Sequence, residues 1–328
     1  MPRSGRRAQR AAVLGTALAA ALAVLAVAAL AVGVSSAAPA GPDSAAAAPP
    51  AAAAPPRVPA GVPSLEHVIV VVMENKNADV ATDPRSCPYT AQLAATWVRF
   101  ADSHAIAHPS QPNYLALWAG STLGVDGNSC PAHGAPFNAE NLGHALEAAG
   151  RTWRAYCEDL PAVGSTACKA RGGLYARKHA PWANFKNLDH ANERPYSDLA
   201  KDIASQRLPG LAFVIPNNCH NTHDCSVSAG DAWLAAELPA MISAVGNRGL
   251  VVLTWDEDDR SEDNLILTVF AGQALRPVTV SQRHITHYTV LRTLCDGLGL
   301  APFGAAATES PITDVWLHGI PPADPKKP

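Results

Sequence analysis

The chain carries at residues 67–73 the sequence HVIVVVM, and Glu74 and Asn75 follow directly. Six consecutive apolar residues, most of them β-branched, predict a strand that is buried on both faces. Such strands lie inside largely parallel sheets, and open α/β sheets place their sites at the carboxyl ends of these strands. The polar pair after this strand is therefore a candidate site.

Further predicted strands alternate with predicted helices along the chain. Apolar runs predict strands near residues 97–107, 152–156, 211–215, 249–254 and 265–271. Helical periodicity and caps predict helices near residues 112–120, 138–149, 232–245 and 287–298. Alternation of this kind indicates the α/β class.

The segments outside this pattern predict export. Residues 1–36 have a basic start, an uncharged stretch and then small residues, which is typical of an export signal or of an N-terminal membrane anchor. Residues 37–62 are mostly Ala and Pro and predict a disordered, extended linker. Residues 63–320 suffice for one large domain, with 321–328 as a tail. We expect a protein that is secreted or associated with the cell envelope.

The net charge limits the class of partner. The chain has 25 Lys and Arg against 28 Asp and Glu, a net charge of −3. Residues 1–36 contain four of the arginines and no acid, so the rest has 21 basic and 28 acidic residues, about −7. This charge argues against nucleic acid as the main partner and against simple electrostatic docking on anionic lipid. The sequence gives no indication of the oligomeric state.

The seven cysteines predict disulfides, because an exported chain is oxidised. Their spacing suggests the pairs Cys157–Cys168, Cys219–Cys225 and Cys87–Cys130. Cys295 would then remain as a buried thiol. A thiolate metal site is the alternative, although no C-x-x-C pair occurs.

Residues 110–113 read SQPN and precede an apolar, helix-like run. Proline is favoured at the first position of a helix, so Ser110 is expected at or just before a helix N-terminus. Free backbone N–H groups and the helix dipole favour anions there. A serine at this place is positioned to attack an anionic phosphorus centre, and a plain N-cap serine is the alternative.

Polar pairs follow three of the predicted strands, namely Glu74-Asn75, Asn217-Asn218 and Asp256-Glu257. If these strands are parallel neighbours, the pairs collect along one sheet edge. Carboxylate and amide oxygens suit hard divalent cations. We predict that the first and third pairs hold one divalent ion of undetermined identity, with Ser110 beside it as a further ligand whose hydroxyl the ion activates. Each acidic pair has a solvated loop or turn as its alternative.

Other polar residues are candidates for handling phosphate and protons. Asn113 is predicted to donate its amide N–H to a non-bridging oxygen. His223 or His287 is predicted to protonate the leaving oxygen or to activate water. His108 and His179 are candidate phosphate contacts, or loop residues without that role.

Five motifs in order resemble a known family. They are MENK at 73–76, HPSQPNY at 108–114, KHAPW at 178–182, TWDEDD at 254–259 and HYTVLR at 287–292. The chain resembles, over roughly residues 66–300, the bacterial phosphoesterase family of secreted acid phosphatases and phospholipases C, in the alkaline phosphatase superfamily. The resemblance implies a three-layer α/β/α sandwich with a mixed, mainly parallel sheet, a metal at Glu74, Asn75, Asp256 and Glu257, and phosphorylation of Ser110.

The resemblance and the residues together predict an exported, metal-dependent phosphoric ester hydrolase. Asp258-Asp259 replace the His-Gly of the phospholipase branch, and that branch's long C-terminal extension is not in this sequence; both points favour an acid phosphatase-like phosphomonoesterase for small phosphorylated substrates. A phospholipase C or another phosphodiesterase acting on phospholipid is the alternative. A non-catalytic surface protein that binds a phosphorylated ligand is the alternative from another class. A sulfatase-like hydrolase is disfavoured because Tyr114 stands where the sulfatase motif has arginine.

Overall fold

The computed structural model describes residues 61–277 and 279–317. In these ranges the α-helices are α1 Ala78–Ala81, α2 Pro88–Thr96, α3 Ser110–Ala119, α4 Leu142–Ala148, α5 Ser197–Ala204, α6 Val227–Ala244 and α7 His287–Leu298. The strands are β1 His67–Met73, β2 Val98–His104, β3 Trp153–Cys157, β4 Lys169–Ala170, β5 Tyr175–Ala176, β6 Glu193–Pro195, β7 Leu211–Ile215, β8 Gly249–Trp255, β9 Thr268–Ala271 and β10 Thr279–Thr286. None of these described helices is both long and apolar enough to cross a membrane. The predicted signal or anchor, the tail and all but the last two residues of the linker lie outside the described residues.

Eight strands form one mixed sheet in the order β10-β2-β9-β8-β1-β7-β3-β6. Strand β1 pairs in parallel with β8 on one side and β7 on the other, with Val68 opposite Leu250 and Leu211. Only β9 runs antiparallel to its neighbours β8 and β2. The predicted mixed, mainly parallel sheet is confirmed.

Strand β1 is the centre of two apolar cores because its side chains alternate between the faces of the sheet. Val68, Val70 and Val72 pack toward α3, α4 and α7, and Ile69 and Val71 pack toward α2, α5 and α6. All five are completely buried or nearly so, and each buried aliphatic side chain contributes about 1.5–3 kcal/mol. The result is the predicted three-layer α/β/α sandwich.

Some element boundaries differ from the sequence prediction. Helix α4 begins at Leu142, because the side chain of Asn141 caps it by accepting the N–H of His144 at 3.0 Å. Helix α6 begins at Val227, five residues before its predicted start, with Ser226 as its cap. Strand β10 was not predicted, since it is an edge strand whose residues are mostly exposed or half-buried.

Two disulfides form among the described residues, and one predicted pairing is confirmed. Cys219 pairs with Cys225 as predicted, whereas Cys130 pairs with Cys168. The predicted pairs Cys157–Cys168 and Cys87–Cys130 are wrong. Cys157 ends β3 inside the core. Cys87 is the N-cap of α2, on the opposite face of the sheet from the segment around Cys130. For the Cys157–Cys168 pair, a short separation in sequence did not predict a short distance in the structure.

Candidate active site

Glu74 follows β1 directly and is completely buried. Its Oε2 accepts from Ser110 Oγ at 3.0 Å, and its Oε1 accepts from the Tyr114 hydroxyl at 2.6 Å. His179 Nε2 lies 2.9 Å from the same Oε1. Burial by itself would raise the pKa of Glu74, but His179, Lys178 and Tyr114 outweigh it, so the pKa is lowered. Glu74 is therefore an ionised carboxylate with three neighbours.

Ser110 is the first residue of α3 and is buried, as the SQPN pattern predicts. Besides Glu74 Oε2, its Oγ lies 3.0 Å from Glu257 Oε1. Lys178 Nζ donates to the same Oγ at 3.1 Å. One hydroxyl thus meets two carboxylates and one ammonium group at the start of a helix.

Asp256 and Glu257 follow β8 at the same edge, because β8 pairs with β1 up to Met73 and Trp255. The Asn75 backbone N–H donates to Asp256 Oδ1 at 3.1 Å, while the buried Asp256 Oδ2 has no hydrogen-bond partner. Burial, together with Glu74 and Glu257, raises the pKa of Asp256 well above its usual range. Burial also raises the pKa of Glu257, against the opposing effect of His108 and Ser110. The edge holds more negative charge than its own residues neutralise.

The Asn75 side chain completes this group of oxygens. Its amide lies 3.0 Å from Glu74 Oε2 and 3.3 Å from Glu257 Oε1, and its backbone φ is 50°. With its nitrogen inward the amide donates to both carboxylates, and with its oxygen inward it adds a ligand atom. An all-oxygen donor set with an unpartnered buried carboxylate oxygen fits a hard divalent cation. The residues predicted to bind the metal lie together.

Three of the predicted site histidines, His108, His179 and His287, contact the acidic residues and are not among the residues that line the pocket. His108 Nδ1 contacts Glu257 Oε2, and its Nε2 lies 3.1 Å from Asp258 Oδ1. The ring of His179 stacks on Tyr114 at a centroid distance of 5.1 Å. His287 Nε2 lies 2.9 Å from the Asp256 carbonyl oxygen, and burial lowers the pKa of His287 to about 4. In the structure these rings contact protein groups, and their predicted roles toward phosphate and protons stay predictions.

His223 is the one of the predicted site histidines that lines the pocket itself. Its Nδ1 lies 2.5 Å from Asp224 Oδ1, and its Nε2 lies 3.2 Å from Lys178 Nζ. The Cys219–Cys225 disulfide closes the loop that carries it. Polar contacts therefore run from Ser110 through Lys178 to His223.

Asn113 uses its whole amide inside the loop that precedes Ser110. Its Oδ1 accepts from the N–H groups of Ile106 at 2.9 Å and Ala107 at 3.0 Å. Its Nδ2 donates to the Ala107 carbonyl at 2.7 Å. The predicted donation to a phosphoryl oxygen competes with this last bond, so the contacts seen for Asn113 are those of a loop-positioning residue.

An open pocket of about 310 Å³ lies in front of Ser110. Its lining residues are Asn75, Lys76, Pro109, Ser110, Asn128, Lys178, His223, Glu257, Asp258, Asp259 and Arg260. Sequence analysis did not assign a role to Lys76, Lys178, Asn128 or Arg260. The only available signal for Lys178 was its place beside His179 in a shared motif. The pocket combines acidic residues at its base with three basic side chains in its lining.

The sheet order and the charged surroundings of Ser110 fit the phosphoesterase class that the sequence motifs resemble. The chain belongs to the Phosphoesterase family, whose model matches residues 81–265. It is 45% identical over 258 residues to the phosphatidylinositol-3-phosphatase of Mycobacterium tuberculosis, covering 78% of this chain and 85% of that enzyme. It is 28% identical over 228 residues to an acid phosphatase of Aspergillus fumigatus, covering 65% of this chain and about half of that enzyme's length, 51%.

The solved structures agree on the fold. A protein of the alkaline phosphatase superfamily from Vibrio parahaemolyticus superposes with a TM-score of 0.54 at 10% identity, covering 75% of this chain and 70% of the other. The lipoteichoic acid synthase LtaP of Listeria monocytogenes gives 0.54 at 9% identity, with coverage of 78% and 77%. The family assignment and the named phosphatase relatives identify the chain as a hydrolase of phosphoric esters.

Proposed function

We propose that the protein is an exported, metal-dependent phosphomonoesterase that works through a phosphoserine at Ser110. The observation that carries this proposal is the surroundings of Ser110 Oγ. Two carboxylate oxygens lie 3.0 Å from it and an ammonium nitrogen 3.1 Å from it, at the start of a helix and beside an open pocket. A hydroxyl in a purely structural role needs one hydrogen-bond partner rather than three charged ones.

The ion would be held by Glu74, Asn75, Asp256 and Glu257, with Ser110 as a further ligand. When bound, a divalent ion favours the ionised form of an alcohol and neutralises charge on phosphoryl oxygens. The unpartnered Asp256 Oδ2 and the crowded carboxylates support this assignment.

The first step is attack by Ser110 on phosphorus. The bond from Oγ to phosphorus forms while the ester bond to the leaving oxygen breaks. The Asp224 carboxylate only accepts hydrogen bonds, so the neutral His223 ring carries its proton on Nδ1 and presents a lone pair on Nε2 to Lys178. Lys178 can therefore pass a proton to His223 Nε2 and take the Ser110 proton. His223 then protonates the leaving oxygen.

The second step returns the enzyme to its starting state. Water attacks the phosphoserine, the bond from phosphorus to Oγ breaks, and inorganic phosphate is the product. His223 takes a proton from the water, and the same Lys178 contact returns a proton to Ser110. The ammonium of Lys178 also attracts the phosphate in both steps.

The substrate class that we propose is a phosphate monoester, and a phosphoinositide is the first substrate to test. Lys76, Lys178 and Arg260 line an open pocket, and basic side chains suit a dianionic monoester. The relative of 45% identity bears the name of a phosphatidylinositol-3-phosphatase. The two disulfides support the exported location, because disulfides persist in oxidising compartments.

The decisive test is Ser110→Ala, with Ser121→Ala as the control serine just beyond α3. We expect Ser110→Ala to lose turnover of a chromogenic phosphate monoester by at least about 10³-fold, and the control to keep it. Acid quenching of the wild type during turnover should leave phosphate on the peptide that contains Ser110. Unchanged turnover by a folded Ser110→Ala protein would remove this residue from the mechanism.

A second experiment tests the metal and the substrate class together. A strong chelator should abolish turnover, and one of Mg²⁺, Ca²⁺, Mn²⁺ or Zn²⁺ should restore it. Phosphatidylinositol 3-phosphate and a soluble monoester should both release phosphate, whereas a chromogenic phosphodiester should be cleaved far more slowly. Faster diester cleavage would favour the phosphodiesterase alternative. Phosphate binding without any turnover would favour the non-catalytic alternative.

A further inference from the structure

A second cluster of ligand groups lies on the edge of the sheet, outside the pocket. Asp102 and His104 on β2 and His284 on β10 each offer one ligand atom, and these atoms lie within 4.8 Å of one another. We propose that this cluster is a second metal site, selective for a divalent ion that prefers imidazole, such as Zn²⁺. Neither the phosphoesterase chemistry nor the pocket uses these three residues.

The backbone brings the three side chains together. Asp102 and His104 are two residues apart on one strand, so they point to the same face. Strand β10 runs parallel to β2, and His284 is the direct partner of Asp102. The register shifts between Ser281 and His284, which is the kind of irregularity that re-aims a side chain on an edge strand. His284 is exposed, with 63% of its side chain accessible, so the cluster is open to solvent ions.

The hydrogen bonding of His104 is the strongest sign of a cation. Its Nδ1 lies 2.9 Å from the Asp263 carbonyl oxygen, which can only accept, so Nδ1 carries the ring proton. A neutral ring would then direct the lone pair of Nε2 at Asp102 Oδ1, only 2.8 Å away. Two lone pairs at that distance require a positive charge between or beside them. A metal-bound histidine typically donates its other ring N–H to a backbone carbonyl, as His104 does.

The cluster and the active site differ in donor chemistry. The cluster offers two imidazole nitrogens and one carboxylate. His284 Nδ1 lies 3.2 Å from Asp102 Oδ2. The group around Ser110 offers oxygen atoms only. Imidazole donors favour Zn²⁺ over Mg²⁺ and Ca²⁺, whereas all-oxygen sites accept the harder ions. One chain can therefore hold two different metals without competition.

An ion at the cluster would fix the ring of His104, which contacts the loop that leads away from the active site. Asp263 and Asn264 follow Asp258 on this loop, and the Asn264 N–H donates to Asp258 Oδ2 at 3.0 Å. The Ala105 N–H, next to His104, donates to the Asn264 carbonyl at 2.9 Å. Strands β2 and β10 would then share one more connection next to this loop.

The experiment uses the full chain with Asp256→Asn, which weakens the active-site ion and isolates the second site. Zn²⁺ is titrated against a chromophoric chelator, and the melting temperature is followed with Zn²⁺ and with Mg²⁺. We expect one tightly bound Zn²⁺ and a rise of roughly 5 °C at saturation. Adding His284→Ala should remove both effects, and Mg²⁺ should give neither. His144→Ala, which removes a surface histidine 2.7 Å from Glu140, is the matched control.

A spectroscopic readout avoids any dependence on stability. Co²⁺ in place of Zn²⁺ should give visible d–d absorption that His284→Ala and Asp102→Asn both abolish and His144→Ala keeps. Equal Zn²⁺ stoichiometry in wild-type and His284→Ala backgrounds would overturn the proposal. The absence of tight Zn²⁺ binding would also overturn the proposal. A second ring proton on His104 would then supply the positive charge between His104 Nε2 and Asp102 Oδ1.

Discussion

Replacing Lys178 by Met tests the contact that sequence analysis missed. Lys178 is largely buried, with 14% of its side chain accessible, and its Nζ lies 3.1 Å from Ser110 Oγ. Methionine keeps the length and apolar stem of the side chain and removes its charge and its donors. The variant therefore removes the positive charge beside the nucleophile together with the proton path from Ser110 to His223, and the charge alone sets a lower limit on the loss.

The size of the loss follows from the distance. A unit positive charge 3.1 Å from a full oxyanion is worth about 5 kcal/mol at an effective dielectric constant of about 20. If half of the negative charge has developed on Oγ at the transition state, about 2.7 kcal/mol is lost. That energy corresponds to about a 100-fold fall in kcat/KM. It agrees with the losses of about 10² to 10³ in kcat seen when one oxyanion donor is removed.

The assay is steady-state hydrolysis of a chromogenic phosphate monoester with saturating metal. Lys186→Met, at an exposed lysine eight residues further on, is the matched control and should stay within about twofold of wild type. A fall in kcat/KM of less than about fivefold for Lys178→Met, in a protein that melts normally, would refute the proposed role. An effect on KM alone would mean that Lys178 binds phosphate without acting on Ser110.

Three other perturbations have defined outcomes. Burial raises the pKa of Glu193 to about 7, so the folded carboxyl keeps a proton that the unfolded one loses. The free energy of unfolding, measured by urea titration, should therefore fall by about 3 kcal/mol as the pH rises from about 4.5 to 7. Glu193→Gln should show a flatter dependence on pH. Tyr114→Phe removes the 2.6 Å bond to Glu74 and should weaken metal affinity about 10- to 100-fold in a metal titration, whereas unchanged affinity would make that bond purely structural. Cys130→Ser removes a disulfide that spans 38 residues and should lower the free energy of unfolding by about 4 kcal/mol in a denaturant titration. Cys219→Ser removes one that spans 6 residues and should lower it by about 2 kcal/mol. Equal decreases would contradict the argument from loop entropy.

The sequence predicted the sheet and the acidic edge because both depend on local patterns. Six apolar residues in β1 and the equally buried run in β8 can only be inner strands, and polar residues directly after them must lie at one edge. The mixed topology was implied only by the resemblance, and within the eight-stranded sheet the structure places the antiparallel strand at β9. Ser110 was found because a proline two residues later marks a helix start.

The parts that the sequence did not predict depend on contacts between distant segments. Lys178 reaches Ser110 from 68 residues away, and nothing in its own neighbourhood specifies that contact. The pairing of Cys130 with Cys168 follows from which sheet face each loop covers. Asn113 was predicted to donate its amide N–H to a phosphoryl oxygen; the sequence did not indicate its contacts with Ile106 and Ala107, and the predicted donation stays a prediction.

The proposed ion would also change how the site binds a phosphate, because of the charges that surround Ser110. His108, His179 and His287 contact Glu257, Glu74 and the Asp256 carbonyl respectively, and none of the three is among the residues that line the pocket. Lys178 is the basic residue of the pocket lining that contacts Ser110, and its one ammonium does not offset the Glu74 and Glu257 carboxylates at the same hydroxyl. A dianionic monoester would therefore be repelled from Ser110 until a divalent cation reverses the local charge. Binding of the two ligands is then thermodynamically coupled, and each must raise the affinity for the other by the same factor.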